Sequence, residues 1–240
     1  MHRWRSLLLI GLAFVVPATA HAAVITYSTP DNSTLDGHSI AGSATFTTTN
    51  GGLTLLLENL AIDPVSVIQN ISGIHFTVTD ATTGSLTSSS GTARTIASDG
   101  TFADALASPT DWLFVFDATA FRLTALGASG PDETIVGAPD AANSYSDANG
   151  SIAGNNPHNP FLALNATFQI AGLGVTEQSE ISNVVLFFGT GPIGVSAECS
   201  AGCGDVTTVP EPTSLLLLGS GLLGLTHVHR RRRARGKHPA

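Results

Sequence analysis

Between Ala23 and Thr208, apolar residues fall at every second position within short runs, and the runs are closed by glycine, asparagine, aspartate or proline. A period of two sends alternate side chains to opposite faces of an extended chain, so the pattern predicts strands that bury one face. Phe46 centres a run over 44–49, and the next run, 53–57, follows Asn50-Gly51-Gly52, a hairpin signal. Further strands are predicted at 65–68, 74–78, 112–116, 121–125, 162–170, 184–188 and 193–195, of which 112–116 is a dense apolar run and 184–188 reads as buried on both faces. Within 74–78, Ile74, Phe76 and Val78 share one face and leave His75 on the other. Strands at this density, with turn signals between them, imply an all-β fold, an antiparallel β-sandwich spanning 23–200. The matching tetrapeptides Ile71-Ser72-Gly73-Ile74 and Ile181-Ser182-Asn183-Val184 hint at two equivalent strands. The interval 127–160 breaks the pattern, being rich in Gly, Ala, Asn, Asp and Pro with Ile135-Val136 and Ile152 as its apolar content. It is read as a surface excursion at one end of the sandwich.

Charge narrows the partners. In the 186 residues of this body, Arg94 and Arg122 stand against 17 acidic residues, a net charge of −15. Such a surface repels nucleic acid and anionic lipid and keeps the protein soluble. Its size suits one core and one domain.

Two segments outside the body read as addresses. Residues 1–22 have the layout of a cleaved secretory signal helix: Arg3 and Arg5, an apolar stretch over 7–16, then Ala20-His21-Ala22 as the small-x-small site for signal peptidase. At the other end, 201–208 is read as a linker to Val209-Pro210-Glu211-Pro212, an uncharged Leu/Gly-rich run, and Arg230, Arg231, Arg232 and Arg233. The two prolines stop a helix from propagating back into the body and hold Glu211 on an extended strip. The stretch 213–228, as a helix rising about 1.5 Å per residue, reaches about 24 Å, against the ~30 Å of a hydrocarbon core. It is a short transmembrane helix, with its arginines on the cytoplasmic side and their stems snorkelling to the headgroups.

This order, V-P-E-P, then a Leu/Gly helix, then an arginine cluster over 209–235, closely resembles the PEP-CTERM sorting signal of exported proteins in Gram-negative bacteria that make exopolysaccharide. The resemblance implies processing by an exosortase, a membrane-embedded cysteine transpeptidase-like enzyme, with transient residence in the inner membrane and then the cell surface or extracellular matrix. It covers the tail alone, and the five residues after Arg235 extend beyond the usual pattern.

Candidate chemistry in the body is sparse. Cys199 and Cys203, the two cysteines of an exported chain, are expected to form a disulfide, since no nearby histidine completes a zinc set. Asn155, Asn156, His158 and Asn159, set between Pro157 and Pro160, could hydrogen-bond sugar hydroxyls or equally their own loop backbone. Asp140, Asn143, Asp147 and Asn149 depart from the calcium-loop template and read as turn formers. No nucleophile, phosphate-loop or metalloprotease motif is found, so no catalytic residue, metal or cofactor is expected. The leading expectation is a non-enzymatic structural or interaction protein with exopolysaccharide as a partner. A carbohydrate-binding module is the alternative, with Trp112, Tyr27 and Tyr145 as its candidate aromatic rings, and an ice- or surface-binding face built on Thr45, Thr47 and Thr49, or a hydrolase, ranks below it.

Overall fold

The computed structural model describes residues 22–127, 131–191 and 193–203. The signal helix expected at 1–22, apart from Ala22, and the expected C-terminal transmembrane helix lie outside the described residues. Among the described residues, no helix is long and apolar enough to cross a membrane.

The chain is all-β. Its strands are β1 (Ala23–Ser28), β2 (Thr34–Leu35), β3 (His38–Ser39), β4 (Gly42–Thr49), β5 (Gly52–Asn59), β6 (Ile71–Val78), β7 (Ser85–Ile96) and β8 (Phe102–Ser108). They continue as β9 (Leu113–Asp117), β10 (Ala120–Thr124), β11 (Ile135–Val136), β12 (Phe161–Ala171), β13 (Ile181–Phe188), β14 (Ile193–Ser196) and β15 (Glu198–Ala201). Apart from the small β2/β3 hairpin, they join one sheet in the order β14-β13-β6-β11-β12-β5-β4-β1-β15, with β10 and β9 branching from β6 and β7 and β8 from β12. Between these strands every pairing is antiparallel except β11 with β12.

The sheet brings its two arms face to face. Phe46 of β4 meets Phe76 of β6 with ring centroids 4.8 Å apart, although three strands separate β4 from β6 along the sheet. Phe76 stacks on Phe121 of β10 at 5.1 Å, and Trp112 packs on Phe168 of β12 at 5.0 Å. These residues, with Leu55, Leu57, Ile74, Leu123 and Leu186, form the main core. Each fully buried side chain of this size contributes about 1.5–3 kcal/mol of transfer free energy. The period-two reading identifies the inner face correctly: Ile74, Phe76 and Val78 are fully buried and His75 is not. The strands carrying the matching tetrapeptides, β6 and β13, are antiparallel neighbours.

Three differences from the sequence reading have clear causes. Residues 65–68 do not form a strand. Ser66 and Gln69 close a capping box over a 3-10 turn, Val67–Gln69, in which the Gln69 Oε1 accepts the Ser66 N–H at 3.1 Å. The interval 127–160 is not a surface excursion. Ile135 bridges β6 and β12, while Val136, Tyr145 and Ile152 form a second core with Val67, Ile96 and Phe161. Buried Asn59 locks that bridge, donating to the carbonyls of Ile135 at 2.8 Å and Gln69 at 2.9 Å and accepting from the Ala61 N–H at 3.0 Å. Ala201, placed in the linker by sequence, belongs to β15 and pairs with Thr26.

Candidate functional site

The sorting residues Val209, Pro210, Glu211 and Pro212 and the arginines Arg230 to Arg233 lie outside the described residues. At the end of the described body, Cys199 and Cys203 form a disulfide with Cα atoms 6.1 Å apart, beside the β1/β15 pairing.

The loop proposed for glycan contact is largely committed to itself. The Asn159 side chain accepts the Ile96 N–H at 2.9 Å and donates to the carbonyls of Ile96 and Asn155. Asn155 donates to the Gly150 carbonyl at 3.0 Å, and His158 Nδ1 contacts the Ser151 carbonyl at 2.6 Å. Asn156 alone of the four is exposed. These bonds pin the loop to β7 and the second core, so Asn155, His158 and Asn159 act in the fold and offer little to a sugar. Amide and imidazole groups between prolines have the same sequence appearance in either role.

Asp140 and Asn149 close turns rather than a cation site. Asp140 Oδ1 accepts the N–H groups of Ala142 and Ser144, each at 2.9 Å, and its Oδ2 accepts the Ser146 hydroxyl at 2.7 Å. The Ser146 and Ser144 bonds hold the Asp140 carboxyl below the usual carboxylate range. Asn149 Oδ1 accepts from the N–H and hydroxyl of Ser151. No group of three His, Cys, Asp or Glu among the described residues is arranged to hold a metal.

One polar centre escaped the sequence reading. The Arg94 guanidinium is buried, donates to both carboxylate oxygens of Asp104 at 2.7 Å and to the Tyr145 hydroxyl at 2.8 Å, and lies 4.0 Å above the Phe102 ring. Tyr145 donates in turn to the Gly137 carbonyl at 2.7 Å. Burial opposes the arginine's charge, but the Asp104 and Tyr145 contacts outweigh it and its pKa is raised. The cluster ties the exposed ribbon β7/β8 to the second core. Its sequence signal was the rarity of arginine, one of two in the body.

Glu133 is strained electrostatically. Its backbone carbonyl accepts the Trp112 indole N–H at 2.9 Å, and its Oε2 accepts the Asp111 N–H at 2.6 Å. Burial pushes the carboxyl above the usual range, the Asp111 N–H bond opposes this, and repulsion from Asp111 and Asp132 adds to it. A carboxyl whose folded pKa is raised gives its full stabilisation below its unfolded pKa and loses it as pH rises through the folded value. Glu133→Gln, which keeps an acceptor for Asp111, is therefore expected to raise the Tm at neutral pH and to have no such effect below about pH 4. Thermal melts across that range check it.

Two sheet faces point outward. On β1, β4, β5, β12 and β7, register places Val24, Thr47, Thr54, Gln169 and Ser88 in one row, and Thr26, Thr45, Leu56, Thr167 and Ser90 in the next. The threonine face expected from Thr45, Thr47 and Thr49 thus continues across neighbouring strands, and the Thr26 and Thr45 hydroxyls bond each other at 3.1 Å. On β9, β10, β6 and β13, the rows are Val115, Arg122, His75 and Val185, and Leu113, Thr124, Gly73 and Phe187. Trp112 is buried, Tyr145 lies inside the second core, and Tyr27 packs edge-on to Phe46, so the aromatic rings expected to meet sugars are occupied in the fold.

The whole chain matches no curated protein, and no solved structure matches it. Residues 208–233 match the PEP-CTERM protein-sorting motif, which implies export and cell-surface sorting and marks an exosortase substrate.

Proposed function

We propose that this is an exported protein of a Gram-negative cell surface or extracellular polysaccharide matrix. In this reading signal peptidase removes residues 1–22, the tail resides transiently in the inner membrane, and an exosortase processes it. The body, a β-sandwich, has a structural or interaction role without catalytic turnover. The observation that carries the reading is the sorting motif at 208–233. The Phe46–Phe76 contact between distant strands supports the sandwich. The net charge of −15 on residues 23–208 fits a secreted, self-repelling protein with no nucleic-acid partner.

A second reading, a carbohydrate-binding module, is favoured by one observation: Phe187, the last residue but one of β13, sends its ring to the outer face, between the inward-facing Leu186 and Phe188. Deleting the exosortase of the producing cell tests the first reading. Full-length protein should then accumulate in the membrane fraction; unchanged release and size would refute exosortase processing.

A further inference from the structure

The outer face of β9, β10, β6 and β13 differs from the rest of the body in charge and texture. Arg122 projects from it between the fully buried Phe121 and Leu123. The one ion pair among the described residues is Arg94 with Asp104, which leaves Arg122 as the single described Lys or Arg outside an ion pair. The body as a whole repels anions, and the unpaired Arg122 guanidinium is the one described point at which a carboxylate is attracted instead.

Next to it is a flat apolar surface. Phe187 pairs with Gly73 on one side and Gly194 on the other, so neither neighbouring strand sends a side chain over its ring. A Cβ at Gly194 would come within 3.0 Å of the ring, and one at Gly73 would come within 3.6 Å of Phe187 and 2.8 Å of the Leu123 carbonyl. The missing side chains let the ring lie against Gly73 and Gly194, where it stays partly exposed. The Arg122 guanidinium reaches to 5.9 Å from the ring centre, the outer limit of a cation–π contact. His75 lies between Arg122 and Val185 in the adjoining row, and its ring makes no hydrogen bond among the described residues. Leu113 and Val115 are about half exposed at the β9 edge. Asp117, two residues beyond Val115, and Asp111, two residues before Leu113, put exposed acids past both ends of β9, so an anion is drawn to the middle of the face, at Arg122.

We propose that this face binds a carboxylate-bearing polysaccharide, with Arg122 taking a carboxylate and Phe187 the apolar side of a sugar ring. The guanidinium supplies a planar pair of donors matched to a carboxylate. His75 supplies a further hydrogen-bonding group to the hydroxyls. An acidic peptide fits less well, because strand addition needs a free edge and the proposed contacts lie on a face. The proposal rests on the interaction reading of the body and is independent of the sorting reading.

Affinity electrophoresis of the exported protein through native gels containing polygalacturonate, dextran or polyglutamate tests it. Polygalacturonate should retard the wild-type protein, and the other two polymers should not. Arg122→Gln should weaken that retardation about tenfold, as loss of a charge-assisted bond does, with the Tm unchanged and partial recovery in Arg122→Lys. Phe187→Leu, which keeps apolar cover over the glycines, should weaken it about fivefold. No retardation by polygalacturonate, or equal retardation of Arg122→Gln, overturns the proposal. Equal retardation by dextran removes the carboxylate from it, and equal retardation by polyglutamate removes the sugar. Failure of these arms with normal release and trimming leaves the sorting reading intact.

Discussion

Truncating Asp104 to alanine is expected to cost about 3–5 kcal/mol, because it leaves a buried guanidinium without its counter-charge. The two partners are unequal: the Arg94 side chain is 7% exposed and that of Asp104 is 37% exposed. Removing the arginine instead leaves a carboxylate that water can still reach, and the Tyr145 hydroxyl keeps its bond to the Gly137 carbonyl. Arg94→Leu should therefore cost less, about 2 kcal/mol. For a body of this size the Asp104 variant corresponds to a fall in Tm of about 6–20 °C, whereas Arg122→Leu, on the outer face, should stay within about 0.5 kcal/mol. Chemical denaturation of the three variants checks the order. Equal losses for Asp104→Ala and Arg94→Leu would contradict the assigned burial.

The second large effect concerns the tail. Replacing Pro210, Glu211 and Pro212 together by alanine should leave the protein in the membrane fraction at full length. Each proline removes a backbone donor and biases the residue before it towards extended conformations, which in the sequence reading keeps the strip out of a helix over the apolar run. Alanine is the best helix former and removes that barrier. In the proposed reading the extended substrate is lost together with the Glu211 charge, while the apolar run and the arginines proposed to hold the segment at the membrane are unchanged. Fractionation and blotting read the outcome directly. Normal release of this variant would show that the V-P-E-P strip is not what the processing enzyme reads.

Most strands legible in the sequence carry a buried apolar face: β4, β5, β6, β10 and β12 alternate plainly, and each lies over the core. β9 and β14 were legible from short apolar runs although they are largely exposed, and β13, read as buried on both faces, leaves Val185 and Phe187 half-buried on its outer face. β7 and β8 were missed for a physical reason: Ser85–Ile96 turns mainly Ser, Thr and Gly to solvent or to a sheet neighbour, and Phe102–Ser108 is exposed along most of its length. What fixes them is the backbone pairing of β7 with β12 and of β8 with β7, together with the Arg94–Asp104 bond, none of which has a hydrophobic period. The 127–160 interval misled because its buried groups are few and widely spaced. Ile135, Tyr145 and Ile152 each fill a separate place, and polar locks such as Asn59 and Asn159 do the rest. The outer face around Arg122 was half legible. Alternation put His75 outward, but the approach of Arg122 to Phe187 across Gly73 depends on strand order, which short-range pattern does not encode.

The central claim is that this chain is a sorted and trimmed surface protein, and the intact mass of the released protein tests it most directly. A mass that starts at Ala23 and lacks the 215–235 segment, with two hydrogens missing for the Cys199–Cys203 bond, is the result the account predicts. A released protein that still carries Arg230 to Arg233 would contradict it.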